Sequence, residues 1–97
     1  MSECLMCLRI QAQAYDLMAE LLLSYPEREL NFVAKPLQIH HAELSTMSEK
    51  VSGFQNGYEL QIKTNMQEAQ QIDAYLQNTS HVQYELMLRP LLSVTWR

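Results

Sequence analysis

Tyr58-Glu-Leu-Gln-Ile-Lys-Thr64 runs straight into Asn65-Met-Gln-Glu-Ala-Gln-Gln-Ile-Asp-Ala-Tyr-Leu76, and the change of period at Asn65 decides the fold. Before it, Tyr58, Leu60 and Ile62 alternate with Glu59, Gln61 and Lys63, the two-residue period of a half-buried strand. After it, Ala69, Ile72 and Leu76 recur at helical spacing and form a buried stripe. Asn65 suits an N-cap, and Glu68 three residues later completes an Asx form of the capping box. Asn78 suits a left-handed terminator.

The same switch occurs at the start of the chain. In residues 3–11, Cys4, Met6, Leu8 and Ile10 share one parity and Leu5, Cys7, Arg9 and Gln11 the other. From Ala12 the apolar positions become Ala14, Leu17, Met18, Leu21, Leu22 and Tyr25, with Asp16 and Glu20 opposite, and Pro26 stops the helix. A second extended stretch, about Leu30 to His40, shifts phase at Pro36: Leu30, Phe32 and Ala34 keep one parity, Leu37 and Ile39 the other. Proline cannot donate to a ladder, so a bulge or an edge position is expected there. A last strand spans about His81 to Arg89, with Val82, Tyr84, Leu86 and Leu88 inward and Gln83, Glu85, Met87 and Arg89 outward. Residues 41–57 are read as a long excursion between two strands, with a short helix open to Ala42–Val51 and a turn at Asn56-Gly57.

The order β-α-β-β-α-β is the ferredoxin-like, α+β arrangement: a four-stranded antiparallel sheet with two helices on one face, in a single domain spanning 1–97. The reverse face carries Leu5, Cys7 and Met87 among charges, which points to assembly.

Composition narrows the function. Ninety-seven residues with 7 Lys+Arg against 11 Asp+Glu give a net charge of −4. The seven basic residues (Arg9, Arg28, Lys35, Lys50, Lys63, Arg89, Arg97) are scattered, which argues against a nucleic-acid partner. Apolar runs of four or five residues are too short for membrane insertion. Taking Met1 as the natural start, the absence of a basic, apolar leader and a count of two cysteines imply a cytoplasmic location.

Three features invite chemistry. Cys4-Leu-Met-Cys7 has redox or metal spacing, yet on a strand residues i and i+3 face opposite ways and the thiols diverge. His40, His41 and Glu43 are donors suited to Zn or Cu. Adjacent histidines at a strand end also diverge, so the metal reading competes with solvated loop histidines and no cofactor. The six methionines and His81 read as gap filling and surface. No segment gathers a nucleophile, a base and an orienting group, so no catalytic residues are assigned.

The Cys4-Leu5 opening, the Leu-rich first helix, Ser48-Glu-Lys-Val-Ser-Gly53 and the histidine pair His40-His41 resemble a small bacterial family of PII-like proteins, related to the nitrogen-regulatory PII proteins and often encoded near heavy-metal efflux pumps of the resistance-nodulation-division type. The resemblance covers about residues 4–92. It implies a homotrimeric, non-catalytic regulatory protein with its sheets turned inward. Residues 41–57 would stand where PII proteins carry their partner-reading loop. His40, His41, Lys50 and Phe54 would then meet a ligand or partner, with Lys35 or Arg89 supplying an anion contact in a cleft between subunits. A membrane efflux or transport protein would be a candidate partner. PII nucleotide sites use glycine-rich and basic segments. Gly53 and Gly57 are the only glycines here and no Lys/Arg cluster accompanies them, so this chain departs from the PII pattern for ATP and leaves nucleotide binding open. Two alternatives stay open: an ACT-like small-molecule-binding dimer, and a small dimeric ferredoxin-like enzyme.

Overall fold

A computed structural model describes residues 3–39 and 55–90. The elements are β1 (Glu3–Gln11), a 3-10 turn (Ala12–Ala14), α1 (Tyr15–Leu23), β2 (Phe32–Ile39), β3 (Gln55–Asn65), α2 (Met66–Thr79) and β4 (Glu85–Pro90). The sheet order is β2-β3-β1-β4 with every neighbouring pair antiparallel. Among the described residues this is the ferredoxin-like α+β fold, with both central strands the ones whose alternation is cleanest.

Register explains the two faces. Met6 stands opposite Ile62 and Leu8 opposite Leu60 on the β1–β3 ladder, so the even parity of both strands forms one apolar floor. Met18 and Leu22 of α1 and Ala69, Ile72 and Leu76 of α2 close on that floor, all 1% exposed or less. Each of the larger ones (Met18, Leu22, Ile72 and Leu76), withdrawn from water, contributes roughly 1.5–3 kcal/mol. The two helices are joined at one end: Tyr75 Oη donates to the Leu21 carbonyl at 2.8 Å, and the Tyr25 and Tyr75 rings meet edge to face at 5.2 Å.

The start of α2 is fixed by its sequence. Asn65 Oδ1 accepts from the Glu68 backbone N–H at 2.8 Å, as an N-cap should. The second half of the expected capping box is diverted, because the Glu68 carboxylate takes a two-pronged ion pair from Arg28 (both contacts 2.6 Å) and a hydrogen bond from the Thr64 hydroxyl. Arg28 also donates to the Lys63 and Glu29 carbonyls at 3.3 and 3.1 Å, so one side chain ties the α1–β2 connection to the β3–α2 junction.

Several boundaries move from their expected places. Pro36 lies on the edge strand β2, and the register from Phe32↔Ile62 to Ile39↔Gln55 is unbroken, so no bulge forms. The phase shift in β2 is a change of face: Phe32 and Ala34 sit over the core, while Leu37 and Ile39 share the parity of Val33 and Lys35 on the opposite face. Asn56 and Gly57 belong to β3, paired with Gln38 and Leu37, rather than to a turn. Helix α2 passes through Asn78 and ends at Thr79, where the backbone N–H and hydroxyl of extended Ser80 both bond the Leu76 carbonyl. Strand β4 begins only at Glu85. The preceding residues leave the ladder, with Val82 and Tyr84 packed against the core. Leu17, expected in the buried stripe of α1, is 46% exposed.

Candidate functional site

The face of the sheet turned away from the helices is built from the odd-numbered positions of all four strands. The β1–β3 register sets Leu5 opposite Lys63, Cys7 opposite Gln61 and Arg9 opposite Glu59, and the β1–β4 register adds Arg89, Met87 and Glu85 beside the same three residues. Lys35 of β2 stands opposite Glu59 from the other side.

Glu59 is the centre of this surface. It is 5% exposed, although neither described helix covers it. Its carboxylate accepts from Arg9 Nε at 3.2 Å and Gln61 Nε2 at 2.7 Å, and Arg89 Nη2 lies 3.5 Å away. Burial alone would raise its pKa. The hydrogen bonds from Gln61 and Arg9 and the charges of the two arginines outweigh that and hold it below the usual carboxylate value. A buried carboxylate is tolerated here because its charge is matched and its lone pairs are used.

Cys7 lies on the same face and is fully buried, between Gln61 and Met87 on the adjoining strands, whereas Cys4 points to the helix side. Both thiols are free, and their divergence follows the strand geometry expected of the pair. Burial, with the Glu59 charge next to it, pushes the Cys7 pKa up and so disfavours its thiolate. The margins of the face are apolar and open: Val33 is 57% exposed and Met87 44%.

At one end of the face a groove of about 320 Å³ runs between Ile39 and the Gln83–Glu85 segment, floored by Arg9 and Gln11. Gly57 shapes it. A Cβ at that position would lie 2.5 Å from both the Ile10 carbonyl oxygen and Ile39 Cδ1, so the absence of a side chain lets Ile39 fold over β3 toward β1.

Of the residues singled out from sequence, Lys35 and Arg89 fall on this face, and Arg89 reaches Glu59. His40, His41, Glu43, Lys50 and Phe54 lie outside the described residues. His81 is exposed in the segment before β4. Among the described residues no group of three His, Cys, Asp or Glu side chains could hold a metal ion, and no helix is long and apolar enough to cross a membrane. The role of Glu59 as the hub was not legible beforehand, though one signal pointed to it: opposite charges at Arg9 and Glu59 on strands that must pair. No family model and no curated protein matches the chain.

Proposed function

We propose that this chain is a non-catalytic regulatory protein of PII-like type that works in the cytoplasm as a homotrimer, with the open sheet faces turned toward one another. The observation that supports the reading is the state of that face in a single subunit. Its middle is already dry, with Cys7 fully buried and Glu59 neutralised by Arg9 and Arg89, while Val33 and Met87 at its margins remain exposed to water. A face of this kind gains by meeting another where its apolar rims lose water, and that gain has to exceed the desolvation cost of covering the charges around Glu59.

On this reading residues 41–57 read the signal, with His40, His41, Lys50 and Phe54 meeting a ligand or a protein such as a membrane efflux or transport component. Zn or Cu would bind through His40, His41 and Glu43. Lys35 and Arg89 would contribute anion contacts in the clefts between subunits. Titration with Zn, Cu, bicarbonate, ATP and cyclic AMP while following melting temperature tests the ligand half, since a ligand of the native state raises stability by mass action. A rise with a metal that is lost in the His40→Ala/His41→Ala double variant supports the metal site. A flat response to all five removes small-ligand sensing and leaves a protein partner. A dimer in solution would favour the ACT-like or enzyme alternatives.

A further inference from the structure

The two outer strands of the sheet are guarded unequally. Strand β2 carries Lys35 and Pro36 in its middle, a charge and a residue without an N–H, which keep an edge from pairing. Strand β4 reads Glu85-Leu-Met-Leu-Arg89, with charges of opposite sign at its two ends and no proline before 90. It is bonded to β1 on one side, and among the described residues nothing pairs with the other.

Apolar surface collects on this open edge. Leu86 has the parity of the core yet is 41% exposed, and Met87 on the open face is 44% exposed. As consecutive residues they lie on opposite faces of one strand. A partner resting on either face covers one of them, whereas a strand alongside flanks both.

Register fixes which backbone groups point outward. The Ile10 carbonyl oxygen lies against Gly57, where a Cβ would approach it to 2.5 Å, so Ile10 addresses β3. Alternation turns Arg9, Cys7 and Leu5 toward β4, and their partners Glu85, Met87 and Arg89 back toward β1. Leu86 and Leu88 are left with N–H and C=O directed out of the sheet.

We propose that β4 pairs antiparallel with the β4 of a second copy of this chain, about a two-fold axis at Met87. In that register Leu86 stands opposite Leu88 of the second copy, and each such pair exchanges both hydrogen bonds, so every outward group of the two residues is used. Met87 meets its own copy on the axis, and Glu85 meets Arg89 at either end, where opposite charges on neighbouring strands attract. Moving the axis to Leu88 sets Leu86 against Pro90, which has no N–H, and moving it to Leu86 leaves Glu85 facing Met87. The contact uses the strand edge rather than the open face, so it does not rest on the trimer. It is small, of the weak and transient class, and forms at high concentration.

Cross-linking of the full chain reads the register. Leu86→Cys and Leu88→Cys chains oxidised as a mixture should form a disulfide between one chain of each, since residues directly opposite stand about 5.5 Å apart at Cα. Either variant alone should not, because its own copies are then diagonal and about 7–8 Å apart. The native Cys4 and Cys7 are buried and do not compete. Adding Val33→Glu, a change at the margin of the open face, should leave the mixed link intact, which separates failure of this contact from failure of the trimer. Light scattering at about 0.5 mM chain should give the native protein a mass above its micromolar value. Leu86→Pro removes an outward N–H and spares the β1 ladder, and Glu85→Arg, at an exposed position, sets like charges opposite each other. Each should hold the mass at its micromolar value. No mixed link, equal links in the single variants, or a native mass that does not rise would overturn the proposal, as would a rise that survives both substitutions.

Discussion

Arg9 and Glu59 face each other directly across the β1–β3 ladder, and the Arg9 Nε–Glu59 Oε1 distance of 3.2 Å makes them the centre of the open sheet face. Gln61 and Arg89 complete the set around one carboxylate that is almost removed from water. Replacing Glu59 with Gln keeps the shape and removes the charge, leaving two guanidinium groups side by side. Unfolding by urea should find the variant less stable by about 1–3 kcal/mol.

Acid should weaken the fold through the same groups. Glu59 and Glu68 both have pKa values held below the ordinary 4.5, the first by Gln61, Arg9 and Arg89 against the cost of burial, the second mainly by its hydrogen bond from Arg28. A carboxyl whose folded pKa is depressed contributes stability that is fully present above its unfolded pKa and is lost as pH falls through the folded value. Denaturant midpoints should therefore be flat near neutrality and fall below about pH 4.5. The fall should be shallower in Glu59→Gln and in Glu68→Gln than in the native chain. An equal slope in all three would remove these pairs as the cause.

Gly57 should not tolerate a side chain. The Ile10 carbonyl that a new Cβ would meet at 2.5 Å is backbone of the central strand and cannot turn aside, unlike the end of Ile39. Gly57→Ala should lower stability by about 1–3 kcal/mol, measured by chemical unfolding. Adding Ile39→Ala should recover only part of that loss, since it relieves one of the two clashes.

Helix α2 offers a pair of contrasting changes. Asn65→Ala removes the side-chain acceptor from the first turn and should cost about 1 kcal/mol. Leu76→Ala empties a fully buried site between helix and sheet and should cost about 2–5 kcal/mol.

Much of the fold was legible because its two central strands alternate strictly and each hands over to a helix at a definite residue. Asn65 announced α2 through chemistry that only a cap needs. The misreadings have physical causes. Asn56-Gly57 carries the signature of a tight turn, but here the glycine serves a close approach of Ile39, which only the paired strand reveals. Asn78 was a plausible stop, yet Ser80 takes the Leu76 carbonyl from an extended conformation two residues later. The alternation in 81–84 looked like strand, but the Tyr84 hydroxyl is anchored to Asp73 of α2, and burial and that bond push its pKa up to about 12. Helix α1 is apolar almost all round, so spacing alone could not tell exposed Leu17 and Leu23 from buried Met18 and Leu22. The Glu59 hub escaped notice because its burial depends on three strands at once.

The assembly of the open faces is tested most directly by the mass of the native protein in solution, from light scattering at micromolar concentration. A trimer gives a particle of about three times the 11.3 kDa chain, falling to smaller species when Val33 and Met87 are both replaced by glutamate. A native mass of one chain, unchanged by that double substitution, would contradict it.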